Sequence, residues 1–188
     1  MYPFGNAVVA VGFTPVTNTY DNLTGSETVP SNATTLVVEV YGPGGVGRTL
    51  NVAGGIGGGG GGYSKKTLTI ASADWSQTIP YNSTNTVSST AGSKVLTNGT
   101  INLTANSGQS GLAGGAGGTA SGGDVNTTGS AHGAGSSGGA AAGPAGGAGG
   151  TQPGPDGVIP GGGGAGANTS IGETGGSGAV GRVVFAWT

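Results

Sequence analysis

From Gly154 to Gly181 every third residue is glycine, with two exceptions, Pro160 and Thr169. A period of three fits neither an α-helix nor a strand, whose side-chain periods are about 3.6 and 2. It fits the three-residue turn of a polyproline-II-type helix, which has no internal hydrogen bonds. The backbone groups of such a helix must find partners on neighbouring segments. Glycine facing each neighbour lets bare backbones approach closely enough to provide them. A weaker phase runs through residues 108–150, where ten of fifteen third positions are glycine. The spacing predicts a bundle of polyglycine-II helices rather than ordered loops without regular helices.

Glycine is concentrated. Of 47 glycines in 188 residues, 30 fall in residues 108–181, and many of the rest lie in residues 42–62. Charge is scarce: five Lys and Arg against seven Asp and Glu, with one histidine and no cysteine. Five basic residues cannot make an electrostatic footprint for nucleic acid. Disulfides and cysteine-ligated metals are excluded. The absence of a strict Gly-X-Y repeat excludes collagen. No apolar run reaches the ~18 residues of a membrane-spanning helix, so membrane insertion is not expected.

Outside the glycine blocks the chain reads as strands. Residues 34–41 place Leu36, Val38 and Val40 on one face, and residues 63–70 place Leu68 and Ile70 together. Residues 182–187 alternate Val183, Phe185 and Trp187 against Val184 and Ala186. Residues 7–13, 77–81, 94–96 and 100–104 are shorter candidates. A strand returning after 74 glycine-rich residues closes a domain. The expected fold is all-β: a small antiparallel sandwich or sheet carrying a polyglycine-II bundle, with almost no α-helix. The expected divisions are an N-terminal strand or attachment segment at 1–27, a β-domain at 28–107 plus 182–188, and a glycine-rich insertion at 108–181.

Chemical motifs are few. Gly42, Gly44 and Gly47 match G-x-G-x-x-G, and Arg48-Thr49 completes a near P-loop pattern. Both need a helix immediately afterwards to hold phosphate, and the following residues run into six consecutive glycines. His132 is the only histidine, with Asp124 its nearest carboxylate in sequence; a surface loop histidine is the expected reading, not a metal ligand or triad member. No paired carboxylates are evident, so neither enzymatic activity nor a cofactor is expected. Seven Asn-x-Ser/Thr sequons, at Asn22, Asn32, Asn82, Asn98, Asn102, Asn126 and Asn168, fit Asn- and Thr-rich turns as well as glycosylation. Residues 1–6 lack the basic start of a signal peptide.

The order of features resembles a family. Thr28-Val29-Pro30, the strand at 34–41 running into Gly42-Pro43-Gly44-Gly45, the block ending Gly62-Tyr63-Ser64, and the terminal Gly181-Arg182-Val183-Val184-Phe185-Ala186-Trp187 are similar to the glycine-rich domains of bacteriophage tail-fibre and virion proteins. The likeness covers most of residues 28–188. It implies a non-enzymatic virion protein, a tail-fibre tip or surface adhesin that meets a host receptor through loops of a polyglycine-II bundle. The alternatives are a capsid- or tail-decorating assembly protein without receptor contact and, less favoured, an ice-binding protein. Implied partners are other virion proteins and a host cell-surface receptor, with homo-oligomerisation, plausibly as a trimer, expected. The contact loops expected on this reading are residues 124–132, with Asp124, Asn126 and His132, and residues 152–159, with Gln152, Asp156, Val158 and Ile159.

Overall fold

The computed structural model describes residues 12–50, 55–84, 87–111, 115–133, 136–151, 154–168 and 174–188. The described residues are nearly all β, with a 3-10 turn at Ser72–Asp74. Two five-stranded antiparallel sheets face one another. The first has the order β1 (Val16–Asp21), β12 (Arg182–Trp187), β3 (Thr35–Tyr41), β5 (Tyr63–Thr69), β10 (Val125–Thr127). The second has the order β2 (Thr24–Thr28), β6 (Thr78–Asn82), β7 (Ser88–Leu96), β8 (Gly99–Asn106), β9 (Ala120–Ser121). A separate parallel pair joins β4 (Thr49–Leu50) to β11 (Ala167–Asn168).

Alternation builds the core. Leu36, Val38 and Val40 on β3 and Val183, Phe185 and Trp187 on β12 point inward and are fully buried. They meet Ile79 on β6 and Ile101 and Leu103 on β8. Each such side chain contributes about 1.5–3 kcal/mol by leaving water. Tyr20 and Tyr81 stack across the sheets with centroids 4.2 Å apart. Both flanks are closed by short connections. Residues 22–23 carry β1 into β2, with Asn22 in the left-handed region at φ 50, and residues 122–124 carry β9 into β10.

Two carboxylates are buried inside this unit. Glu27 accepts hydrogen bonds from Asn18 Nδ2 (2.7 Å), Tyr20 Oη (2.5 Å) and Trp187 Nε1 (2.9 Å), tying β2 to β1 and β12. Asp74 accepts from the Thr97 amide (3.0 Å) and hydroxyl (2.9 Å) and from the Ala71 amide (3.2 Å). Burial alone raises its carboxyl; the bonds from Thr97 and Ala71 outweigh that and hold it below the ordinary carboxylate range.

The division expected from sequence falls differently in the structure. β1 and all of β2 but Thr28 lie within residues 1–27, yet they are edge strands of the two sheets, and Tyr20 of β1 packs against the core. Residues 42–62 belong with the glycine-rich part, and β9 and β10, inside 108–181, belong to the sandwich. The physical reason is that strands run directly into glycine segments. β3, β8 and β10 each lead out of the sandwich into one, and β5, β9 and β12 each receive one. The strand expected at residues 7–13 lies, except for its last two residues, outside the described residues; Gly12 and Phe13 form no strand.

Candidate functional site

Among the described residues, ten glycine-rich segments extend from one end of the sandwich: residues 42–48, 55–62, 107–111, 115–119, 128–133, 136–142, 147–151, 154–158, 160–166 and 174–181. They are joined by hydrogen bonds between segments. Residues 55–62 occupy an inner position. Their amides donate to three neighbours in rotation: Gly58 and Gly61 to Gly164 and Gly161, Gly59 and Gly62 to Gln109 and Asn106, and Gly60 to Ser130. Their carbonyls accept from three other segments, through Gly42, Gly45 and Arg48, through Gly139 and Ala142, and through Gly118. Residues 160–166 repeat the arrangement. Gly162 and Ala165 donate to residues 154–158, Gly163 and Gly166 to residues 136–142, and Gly164 to Gly45. Six neighbours around each of these two segments, shared as these bonds require, make a hexagonal array in four rows of two, three, three and two segments.

Absence of a side chain is what this spacing demands. A Cβ on Gly58 would overlap the carbonyl of Gly45, one on Gly59 that of Ala116, and one on Gly60 that of Ala140. Residues 160–166 are buried on every side, as are residues 55–62 apart from Ile56. Several outer segments bury one residue in three: Ser136, Gly139 and Ala142 in residues 136–142, Gly147 and Gly150 in residues 147–151, Gly176 and Ala179 in residues 174–180. Ala140, Ala148 and Ser177 face outward and are exposed.

At the sandwich end, the outer face of β3 and β5 meets the connection at residues 142–147. Tyr41 and Tyr63 are buried there with Ala142. Gly143 has φ 88, and any Cβ on it would run into the Tyr63 ring. Both hydroxyls donate to Glu39, from Tyr63 at 2.9 Å and from Tyr41 at 3.1 Å, and Lys65 Nζ lies 3.6 Å from the same carboxylate. Burial, reinforced by Glu39, pushes the Tyr41 phenol up to about 12 and raises that of Tyr63 as well. Arg182 makes a paired contact with Asp21, at 2.6 and 2.7 Å, beside this junction.

The opposite end of the array is the one away from β3 and β5. There β4 and β11 pair, Thr49 with Ala167 and Leu50 with Asn168, and the Gly175 amide donates to Thr49 Oγ1 at 2.8 Å. Arg48 and His132 are exposed at this end. The His132 amide donates to Gly115, and its Nδ1 lies 3.0 Å from the Gly133 carbonyl.

The residues expected to form receptor-contact loops fall in several places. Asp124 is exposed at the sandwich edge, where it accepts from the Thr67 amide (2.9 Å) and Lys66 Nζ (3.4 Å). The Thr67 amide, aided by Lys66, holds its carboxyl below the ordinary range. Asn126, on β10, accepts from Ser64 Oγ (2.8 Å) and bridges back to Gly123. Among the described members of the set, His132 alone lies at the far end. Asp156 is halfway along the array, accepting from the Ser177 amide at 2.6 Å. Val158 and Ile159 are about half exposed, at 55% and 47%, at the sandwich end. Gln152 lies outside the described residues. Residues 154–158 are a segment of the array, not a free loop: Gly157 donates to Ser177 and Val158 to Ala148. Arg48 and Thr49 lie outside the contact residues expected from sequence; the sequence signal for them is that the first glycine run is interrupted there by polar side chains.

The nucleotide-like pattern is built into the same array. The amides of Gly42, Gly44, Gly45 and Gly47 donate to the carbonyls of Gly62, Ala179, Gly59 and Gly176, and Thr49 begins a strand instead of a helix. Those amides are turned to backbone, leaving none of the four to cradle a phosphate. Among the described residues no group of three or more His, Asp or Glu could hold a metal ion, and no helix is long and apolar enough to cross a membrane. Compared with protein-family models and curated proteins, the chain matches no family model and no curated protein.

Proposed function

We propose that the chain is a non-enzymatic bacteriophage virion protein, a tail-fibre tip or surface adhesin, whose glycine segments are polyglycine-II helices presenting the far-end connections to a host surface. Its partners are then other virion proteins and a cell-surface receptor. The observation that carries this reading is the rotation of donors along residues 162–166, from one neighbour to the next and back to the first at the third residue. A three-fold helix is the backbone form that aims successive amides in three directions. The sign of φ agrees: inside residues 55–62 no described glycine has positive φ, and in residues 160–166 only Gly161, at the turn, does. An array bonded through its backbones holds its end connections at fixed spacing, as a recognition surface needs if little binding energy is to go into ordering loops.

Competition for adsorption tests the function. The purified chain, added to host cells before phage, is expected to reduce adsorption in proportion to dose. Paired far-end substitutions, Arg48→Ala with His132→Ala, are expected to weaken that effect without changing the melting temperature. No competition at any dose removes the adhesin reading. Immunogold labelling of particles then places the protein on tail or capsid.

A further inference from the structure

Around residues 55–62 and 160–166 every position of the array is filled by this chain, whereas beside residues 42–48 the array is open. The opening is a cleft of about 430 Å³. Residues 43–46 form its floor, Ser107, Gly108, Ser110 and residues 177–180 line its walls, and Asn22, Ser83 and Thr84 from sandwich turns close one end. No charged and no aromatic residue lines it. Leu23, Val46 and Val87, exposed at 51%, 52% and 65%, stand in or next to these lining stretches.

The backbone along the cleft is incompletely used. Among the described residues, the amides of Val46 and Gly178 donate to no backbone carbonyl, and the carbonyls of Gly44 and Gly108 accept from no backbone amide. All four residues line the cleft. The three-residue rotation says where the amides aim. Gly45 and Arg48 donate to residues 55–62, and Gly44 and Gly47 to residues 174–181, which leaves the third direction for Val46. Gly176 and Ala179 donate to residues 160–166 and Ser177 to Asp156, which leaves the third direction for Gly178.

We propose that this cleft is a docking groove for one further extended strand, supplied by a partner polypeptide through an uncharged, glycine- and alanine-rich segment. The proposal rests on the polyglycine-II reading of the segments. At ~3.1 Å per residue, four floor residues match about four residues of partner. Small residues are required because a Cβ on the inward face of such a strand meets carbonyls, as it would at Gly44 and Gly45 inside the array. A charged residue would lose its hydration without a counter-charge. The groove continues the array's own pattern of donors and acceptors, which is what selects a backbone as its occupant.

The probe is an eight-residue peptide with the sequence of residues 160–167, titrated into the isotopically labelled full chain and followed by amide resonances. Saturable shifts confined to Val46, Ser110, Ser177 and Gly178 are expected. Val46→Asp, at a half-exposed position, should weaken binding by about tenfold or more, and a peptide with Asp at its centre should not bind. Shifts that never saturate, or that are equally large at outward-facing Ala140 and Ala148, overturn the groove. So does self-association of the free chain that Val46→Asp abolishes, since a second copy then fills the site. Amide exchange at Gly58, Gly59 and Gly60 on the same sample separates the two failures. Fast exchange there removes the polyglycine-II reading; slow exchange with a silent cleft removes the groove alone.

Discussion

The amide of Gly58 donates to the carbonyl of Gly164 at 2.9 Å, and the amide of Gly164 donates in turn to the carbonyl of Gly45 at 2.9 Å. These bonds link the two inner segments to each other and to the segment that leaves β3. The space between them holds backbone only.

Gly58→Ala is therefore expected to be costly. Its methyl would overlap the Gly45 carbonyl, which belongs to backbone and cannot rotate away. Overpacking of this kind costs about 3 kcal/mol, or a melting temperature lower by roughly 6–12 °C in a chain of this size. Ala140→Ser, on an exposed outward position, should stay within about 0.5 kcal/mol of the parent. Thermal melts of both variants decide the matter, and equal melting points would contradict the packing described.

Amide exchange should be graded from inside to outside. Gly58 to Gly62 and Gly162 to Gly166 donate within fully surrounded segments, so they should open only with global unfolding. Val46 and Gly178 should exchange fast in the free protein. Uniform rates across the ten segments would show that the array opens as easily inside as out.

Glu27 holds three donors from two strands of the opposite sheet. Glu27→Ala leaves the Asn18, Tyr20 and Trp187 donors unpaired in the core, for a loss of about 3 kcal/mol or more. Glu27→Gln keeps an acceptor for Asn18 and Trp187 and offers its amide to the Tyr20 oxygen, so about 1 kcal/mol is expected. Urea unfolding with an unchanged slope measures both, and equal losses would argue against the bonding role.

Alkali should loosen the sandwich through its tyrosines. The Tyr41 phenol titrates at about 12 in the folded chain against 10.0 when unperturbed. Tyr20 and Tyr63 are raised in the same direction, chiefly by burial. A folded value above the unfolded one means the folded state holds its protons more tightly. That stability is complete below pH ~10 and is lost between ~10 and ~12. Tyrosinate absorbance should thus lag behind that of a denatured control and rise together with unfolding. Titration at the ordinary value with the fold intact would contradict the burial of these rings.

Much of the fold is legible in residues whose pattern is local. Alternation alone locates β3, β5 and β12, because one face of each must be buried. β1 and β2 are harder, since Thr17, Asn18, Ser26 and Glu27 are polar and their burial depends on partners far along the chain. The three-residue period is present, but its phase belongs to each segment separately. The third-position series from Gly108 runs through Gly117 and Gly138, whereas the buried residues of those segments are Gly115 and Gly118, and Ser136, Gly139 and Ala142. Each turn resets the phase, so one long register cannot be read across the connections. The expected contact residues scatter because glycine-rich sequence does not mark where a segment ends: Asp156 and Val158 look like loop positions and are bonded along a segment.

The way strands pass into glycine segments imposes a parity on the chain. A path that leaves the sandwich must come back to it. Two segments lie between β3 and β5, two between β8 and β9, and six between β10 and β12. Lengthening or shortening within any of these excursions can therefore proceed only by out-and-back pairs. A single added segment would strand the next β-strand at the wrong end, while a pair extends the array and leaves every strand register as it was. Size variation among proteins of this architecture should accordingly come in even steps, with the sandwich unchanged beneath.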